Sequence, residues 1–414
     1  MDRRMTTLLL DCLHQDAGRV TLDRLASLTR EEWQLLLSFA TQQRVSGLLY
    51  HRLKSRGWEA AIPEETLQAL QQVCLRNAAR NLGFYGELKR IVSALHAGDI
   101  PVVVLKGAYL AGVVYGNLAL RQMGDIDLLV RNTNLARAAG ELQEAGYRPA
   151  RPFWIEAICA TSQHLPKFTR LGAATIEMHW TIALPTSPIT VDLDGLWERA
   201  RPAVVKGIEV LTLCPEDLLL HLCLHTSFQH RFAVGLRALC DISETVRYYR
   251  DAMDWEQVQL RARRWGAGKC AYLTLRLARE LVGADVPAEV LKALEPGDLD
   301  PGFVTWARDR LLTHRSSTLP LSSNLVRIWE ADGLWGKLTN FLKFTFPARE
   351  AMATMYPASP SSKRIYLYYP VRLMGVLLRN GRTAWRLLRR DEATIALSER
   401  QDRGNALVDW LGSA

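Results

Sequence analysis

The sequence lacks the features of several large protein classes. No stretch approaches about eighteen uncharged apolar residues, the length that a bilayer-crossing helix needs, so we expect no transmembrane segment. The apolar run at 8–10 is too short for the core of a signal peptide, and no small-residue cleavage site follows it. Seven cysteines are dispersed without a Cys-x-x-Cys pair, which argues against a disulfide or zinc framework. These absences predict a cytoplasmic protein with free thiols.

Common nucleotide-binding loops are also missing. Gly268-Lys269 resembles the end of a phosphate-binding loop, but Arg263 stands where the first glycine belongs, and Cys270 replaces the serine or threonine. No Gly-x-Gly-x-x-Gly follows a predicted strand, which leaves no support for a dinucleotide-binding turn. Internal repeats and low-complexity tracts are absent from the sequence as well.

Acidic residues are missing from one long segment near the C-terminus. Residues 363–390 contain eight Lys or Arg and no Asp or Glu. Because the whole chain has a net charge of +9, the remainder is close to neutral. Aromatic and aliphatic residues are interspersed with the basic ones and could line an amphipathic helix that lies on an anionic membrane surface or faces an acidic partner or nucleic acid. We favour the simpler alternative, a helix that packs on the core with its arginines in water.

The 414 residues are 48% hydrophobic and 23% charged, as in a globular protein, and the residue pattern changes near residue 100. Helical periodicity dominates up to residue 95 and returns after residue 190. Between them, β-branched runs predict short strands. The fold class predicted is α+β, with a small mixed sheet embedded in helical regions. The predicted divisions are an N-terminal helical region 1–95, an α/β core 96–185, a helical domain 186–355, and a linker with a basic amphipathic tail 356–414.

Acidic side chains fall together on two of the predicted strands. Asp125 and Asp127 point to one face of their strand, because side chains alternate along an extended chain. Glu177 and His179 share a face of a later strand for the same reason. Neighbouring carboxylates repel each other unless a cation lies between them, and such oxygen ligands suit Mg²⁺ together with substrate phosphates. Three carboxylates on adjacent strands would hold two metal ions for an in-line phosphoryl displacement.

A Lys-Gly turn follows the first predicted strand. Gly107 would open a helix whose backbone N–H groups approach a triphosphate closely. Lys106 and Arg121 would each supply a positive charge to a phosphate. The alternative is that both basic side chains point into water and that Asp125 and Asp127 merely solvate a strand end.

A second group of polar residues lies on a predicted helix. His221 and His225 are one turn apart, the spacing of many zinc sites, but no glutamate makes the His-Glu-x-x-His pattern of a metalloprotease. With Asp241 they could form a metal hydrolase site. We favour instead a cleft wall that contacts nucleotide or acceptor, or buried structural histidines. His164 and Lys167 could reach a cleft, but loop residues of this kind are more often solvated, which is what we expect here.

Three segments together resemble a known family. They are Leu-Lys-Gly at 105–107, Gly-Asp-Ile-Asp-Leu-Leu-Val at 124–130 and Ile-Glu-Met-His-Trp at 176–180. The chain is similar, over residues 25–245, to the uncharacterised nucleotidyltransferase family of the polymerase-β-like superfamily. The resemblance implies a nucleotidyltransferase core in which Asp125, Asp127 and Glu177 are the catalytic metal ligands. His179, with the histidine helix, would belong to the cleft.

The resemblance also implies a reaction. A nucleoside monophosphate would move from an NTP, with ATP as the expected donor, to an acceptor hydroxyl or phosphate, with Mg²⁺ as cofactor and pyrophosphate as product. Members of the family are associated with bacterial natural-product and surface-polysaccharide pathways, which implies a peptide, sugar or small-metabolite acceptor. The superfamily usually has Gly-Ser or Gly-Gly at the turn, where this chain has Gly107-Ala108, so Lys106 or Arg121 would supply the phosphate contact. The alternatives are a non-catalytic nucleotide-binding protein and a histidine-based metal hydrolase.

Overall fold

A computed structural model describes residues 3–313, 328, 333–388 and 392–413. Within them lies a mixed sheet of seven short strands. The strands are β1 (Val103–Val104), β2 (Ile126–Leu129), β3 (Arg148–Pro149), β4 (Phe168–Thr169), β5 (Ile176–His179), β6 (Arg201–Val205) and β7 (Ile208–Thr212). Their order across the sheet is β3-β4-β5-β2-β1-β7-β6. With the helices described below, this arrangement confirms the predicted α+β class.

The middle of the sheet brings the acidic strands side by side. β2 pairs antiparallel with β1 and parallel with β5, and β5 pairs antiparallel with β4. The β2–β5 register places Asp127 beside Glu177 and Leu129 beside His179. Every residue of both strands is buried. Asp127 and Glu177 therefore lie in the sheet itself and not at a solvated strand edge.

A hairpin at one edge of the sheet was missed by the sequence analysis. The sequence predicts no strand between 186 and 214, yet β6 and β7 form there, and β7 pairs parallel with β1. Their two-residue turn is Lys206-Gly207, with φ of +51° and +80°. Positive φ at both positions is the requirement of a type I′ hairpin turn, which glycine meets freely. Because the first position is a lysine, the turn lacks the Asn-Gly or Asp-Gly pair by which such hairpins are usually recognised in a sequence. The sheet thus extends past residue 185.

The N-terminal region is helical, as predicted. Its helices are α1 (Arg3–Leu13), α2 (Leu22–Ala26), α3 (Arg30–Gln42), α4 (Ser46–Ser55) and α5 (Glu64–Ala97). α3 begins with a capping box, in which Thr29 accepts from the Glu32 backbone and Glu32 accepts from the Thr29 backbone. The long helix α5 leads directly into the sheet.

Helices also connect the strands and follow the sheet. They are α6 (Lys106–Tyr109), α7 (Leu135–Glu144), α8 (Ile155–Thr161), α9 (Leu193–Glu198), α10 (Pro215–Leu224), α11 (Leu236–Tyr248), α12 (Trp255–Arg264), α13 (Gly268–Val282), α14 (Ala288–Leu294) and α15 (Pro301–Leu312). α6 and α10 each continue into a π-helical turn, Leu110–Val114 and His225–Gln229. One hydrophobic core joins the N-terminal helices, the sheet, the helices up to α15 and the end of the last helix, at Leu407 and Leu411.

The C-terminal helices are α16 (Gly333–Thr345), α17 (Arg349–Ala353), α18 (Tyr368–Leu388) and α19 (Glu392–Leu411). α17 packs on α8 around a small second core that contains Met352 and Ile365. The basic segment predicted at 363–390 includes α18, while its residues 389 and 390 lie outside the described residues. No helix in the described part of the chain is long and apolar enough to span a bilayer.

Candidate active site

Asp127 is the most enclosed carboxylate of the sheet and has two cationic or polar neighbours. Its Oδ1 lies 2.9 Å from Lys106 Nζ and 3.0 Å from His179 Nε2, and its side chain is 4% exposed. Burial on its own would raise the pKa of Asp127, but Lys106 and His179 hold that pKa well below its usual range. Asp127 is therefore ionised in the interior of the protein.

Glu177 faces the same space from β5. Its Oε1 lies 2.6 Å from Lys167 Nζ, and its Oε2 lies 3.6 Å from His179 Nε2. Burial opposes ionisation here too, but His179 and Lys167 lower the pKa of Glu177 to about 2. His179 thus connects the two acids through one ring nitrogen.

Asp125 comes directly before β2 and is only partly buried. Burial and the negative charges of Asp127 and Glu177 raise its pKa. Such repulsion between neighbouring carboxylates is what a bound cation removes. The sequence predicts Asp125, Asp127 and Glu177 as the ligand set.

The tightest group that could hold a metal in the described residues consists of Asp127, Glu177 and His179, with ligand atoms within 4.8 Å of one another. Two of the predicted acids, Asp127 and Glu177, therefore belong to this group together with His179, and Asp125 does not belong to it. His179 Nδ1 is buried and has no hydrogen-bond partner within the described structure. A cluster of mutually repelling carboxylates, mostly buried and rich in oxygen donors, fits a divalent cation.

Lys106 reaches Asp127 from the junction of β1 and α6. It has a positive φ of 35°, and its side chain is nearly buried against the carboxylate instead of pointing into water. The next residue, Gly107, leaves room for another basic side chain, since a Cβ there would lie 3.0 Å from Arg121 Nη1. The Lys-Gly turn therefore allows a lysine and an arginine to lie close to the start of one helix.

Arg121 pairs with an acid far away in the sequence. Its Nε and Nη2 each donate to Asp241 at 2.8 Å, and Tyr115 donates to the same carboxylate at 3.0 Å. Burial acts against its charge, but Asp241 outweighs burial and raises the pKa of Arg121. Asn81 from α5 fixes the loop before β2 by donating to the carbonyls of Leu118 and Arg121. Asp241 is thus an anchor for Arg121.

A small cavity lies beside this ion pair and is lined by Lys106, Arg121, His225, Arg237 and Asp241, among others. Arg237 donates to the Gln122 carbonyl at 2.9 Å, but its buried Nε has no partner in the part of the chain that is described. Burial and the charge of Arg121 lower the pKa of Arg237 to about 10. The cavity wall therefore carries more positive than negative charge.

The structure does not assemble a metal site from the histidine helix. The rings of His221 and His225 are 6.4 Å apart and edge-on, and Asp241 already binds Arg121. These three side chains form no metal-binding group within the described residues. His221 is buried, and burial holds its pKa well below the usual value. His225 lines the small cavity beside the Arg121–Asp241 pair.

Sequence reasoning discounted or missed three basic residues of this region. Lys167, expected in water, pairs with Glu177, and His164 packs edge-on against the His179 ring at 5.1 Å. The antiparallel pairing of β4 with β5 explains the contact. Because Phe168 pairs with Ile176, Lys167 lies opposite Glu177. Arg237 had no local signal in the sequence.

Comparisons with known proteins give one family. A family model described as "Uncharacterised nucleotidyltransferase" matches residues 29–283, more than half of the chain. Among solved structures, a solution structure of the antibiotic-resistance factor ANT(2'')-Ia is similar at 12% identity and a TM-score of 0.31. That match covers 47% of this chain and 95% of the other. A search of curated proteins found no significant match.

Proposed function

The chain belongs to the uncharacterised nucleotidyltransferase family and is thus a transferase, and we propose that Asp125, Asp127 and Glu177 form its catalytic centre. Membership confirms the family resemblance predicted from the sequence. The observation that carries the proposal is the register of β2 and β5, in which Asp127 lies directly beside Glu177 in a buried part of the sheet. Ionised carboxylates in such a place need a positively charged counterpart.

The proposed reaction moves a nucleoside monophosphate from an NTP, with ATP as the expected donor. An oxygen of the acceptor attacks the α-phosphorus, the bond from that phosphorus to the bridging α–β oxygen breaks, and pyrophosphate leaves with both bonding electrons. A hydroxyl acceptor releases its proton to solvent. The acceptor is proposed to be a peptide, a sugar or a small metabolite. An NTP donor also suits the cytoplasmic location predicted from the free cysteines.

Asp125, Asp127 and Glu177 would hold Mg²⁺, with two ions expected, and His179 would orient Asp127 through its 3.0 Å contact. Bound Mg²⁺ would supply positive charge to the phosphates of the donor and of the leaving pyrophosphate. In this structure Lys106 and Lys167 provide the positive charge beside Asp127 and Glu177.

The phosphates are proposed to lie toward Lys106, Gly107 and Arg121. Support comes from the positive wall of the adjacent cavity, where Arg237 adds a charge that no carboxylate of the described residues neutralises. Arginine and lysine donors placed where negative charge develops stabilise a phosphoryl-transfer transition state. His179, His221, His225 and Asp241 remain proposed cleft residues.

The test uses ATP, GTP, CTP and UTP labelled with ³²P at either the α or the γ position. Each is incubated with Mg²⁺, the pure protein and an extract of the source cells, with Asp127→Asn as the blank. The proposal expects label from the α position in a new species, together with release of pyrophosphate. Label from the γ position alone would mean kinase-like or hydrolytic chemistry and would overturn it. Binding of NTP without any transfer would favour a non-catalytic nucleotide-binding protein.

A further inference from the structure

The C-terminal helices expose an unusual number of apolar side chains. Eleven of the nineteen exposed large hydrophobic residues in the described structure lie between 335 and 378, while the other eight are scattered between 22 and 260. Exposed apolar residues scattered singly are normal, but a contiguous group marks an interaction site. The eleven are Trp335, Leu338, Leu342, Phe346, Met355, Tyr366, Leu367, Val371, Met374, Leu377 and Leu378.

The spacing of these residues makes a stripe on each of two neighbouring helices. On α16 and its end, Trp335, Leu338, Leu342 and Phe346 follow one another at three or four residues, the spacing of a single helix face. On α18 and the turn before it, residues 367, 371, 374 and 378 repeat that pattern. The two helices are in contact, and Phe346 stacks on Tyr369 at 6.0 Å. We name these two rows the outer apolar stripe.

An inward-pointing arginine fixes this orientation of α18. Arg372 is 8% exposed and donates to the carbonyls of Thr345 at 3.1 Å and Phe344 at 2.7 Å. Those carbonyls belong to the last turn of α16, where they have no partner within the helix and where a positive charge is favourable. Arg372 and Val376, one turn apart, therefore face inward, whereas the apolar side chains at 371, 374, 377 and 378 are exposed, unlike those of an ordinary surface helix.

The segment that carries the outer apolar stripe is strongly basic. Residues 333–388 contain nine Lys or Arg and one acidic residue, Glu350. Exposed Lys343, Lys363 and Arg364 belong to this set. Long basic side chains can reach anionic headgroups while apolar neighbours enter the acyl boundary, and Trp and Tyr prefer that boundary. A neutral protein partner would match the stripe but would leave most of the positive charge without a counterpart, whereas an anionic bilayer offers both an apolar layer for the stripe and negative headgroups for the basic residues.

We propose that the outer apolar stripe docks this protein on the surface of an anionic lipid bilayer. In this proposal the stripe lies in the interface, parallel to the membrane surface. Apolar side chains enter the interface, and the surrounding Lys and Arg bind the lipid headgroups. This inference is independent of the proposed catalytic centre.

The test is co-sedimentation of the full chain with phosphatidylcholine vesicles, with and without about 30% phosphatidylglycerol. The proposal expects at least about tenfold tighter binding to the anionic vesicles, and loss of most of that difference in about 0.5 M NaCl. Equal binding to both vesicles, or binding to neither, would overturn it.

Matched triple variants separate the stripe from general hydrophobicity. Leu342→Ser/Leu367→Ser/Leu378→Ser removes three stripe residues, and Leu75→Ser/Leu82→Ser/Leu171→Ser removes three exposed leucines elsewhere. Circular dichroism checks that both fold. The first variant should bind anionic vesicles at least about tenfold more weakly than the wild type, and the second should bind like the wild type. Equal binding by the two variants contradicts the proposal. Self-association that the first variant abolishes, without vesicle binding, would assign the stripe to a second copy of the chain instead.

Discussion

The carboxylate site and the C-terminal helices use charge in opposite ways. In the site, each buried acid has a basic neighbour from another element: Lys106 for Asp127, Lys167 for Glu177 and Arg121 for Asp241. In residues 333–388, nine basic residues share one acidic residue. Pairing allows charges to be buried without a large loss of stability, whereas an excess of one charge sign is best placed near water or opposite an external anion. The first arrangement suits a pre-organised catalytic centre and the second suits a docking surface.

The contrast between the two regions predicts that the largest effect of any substitution is on nucleotidyl transfer, at Asp127. We expect Asp127→Asn to lower kcat/KM for nucleotidyl transfer about a thousandfold, equal to about 4 kcal/mol, because a carboxylate at the reacting centre is lost. Label transfer from α-³²P-labelled NTP measures the loss. Since the variant leaves Lys106 buried without its acid, Lys106→Met/Asp127→Asn is the companion that removes both charges. Recovery of activity in this neutral pair would contradict the role of Asp127.

The next largest effect is expected on stability, at the ion pair that holds Arg121. Asp241→Asn leaves the guanidinium buried beside a neutral group, so the free energy of unfolding should fall by about 3 kcal/mol. Urea denaturation measures this change, with exposed Asp251→Asn as the matched control. Arg121→Met/Asp241→Leu should recover most of the loss. A decrease no larger than that of the control would show that the pair is not buried in solution.

Lys167 provides a smaller effect, because its side chain is 54% exposed although it touches Glu177. Lys167→Met should change the free energy of unfolding by less than about 1 kcal/mol, as for other exposed ion pairs. It should also lower the Mg²⁺ concentration for half-maximal transfer by about twofold to fivefold, because the lysine no longer competes for the carboxylate. An increased Mg²⁺ requirement would mean that Lys167 supports the bound state and does not compete with it.

The smallest effect on stability is expected in the C-terminal region. Lys363→Gln/Arg364→Gln removes two exposed charges, and the free energy of unfolding should stay within about 0.5 kcal/mol of the wild type. Urea denaturation tests this value. A loss comparable to that of Asp241→Asn would show that these charges are paired after all and would remove the contrast between the two regions.

Much of the site could be predicted from local pattern. Alternation along a strand is a property of the backbone, so the shared face of Asp125 and Asp127, and that of Glu177 and His179, could be expected from the order of the residues alone. The helical ends of the chain followed from periodicity in the same way. Each of these predictions needed only residues near one another in sequence.

What could not be predicted depends on contacts between distant segments. Arg121 and Asp241 are 120 residues apart, and nothing in either segment indicates their pairing. The β6–β7 hairpin begins its turn with Lys206, whose positive φ is uncommon for lysine, so the turn signal was weak. The exposure of the apolar side chains of α18 depends on the hydrogen bonds from Arg372 to the carbonyls at the end of α16. Sequence periodicity alone does not show these bonds. Local patterns thus predicted on which strand faces the acidic side chains lie, but the basic residues that pair with them could be identified only from the folded structure.

The most direct test of the central claim is the rate of α-³²P label transfer against Mg²⁺ concentration for the wild type, Glu177→Gln and Glu289→Gln. Glu289 is exposed on α14, far from the site in sequence, and provides the same chemical change. We predict that Glu289→Gln follows the wild-type curve, while Glu177→Gln is at least about a hundredfold slower at every Mg²⁺ concentration. A Glu177→Gln curve that coincides with the wild type would show that the carboxylates beside Asp127 are not the catalytic centre.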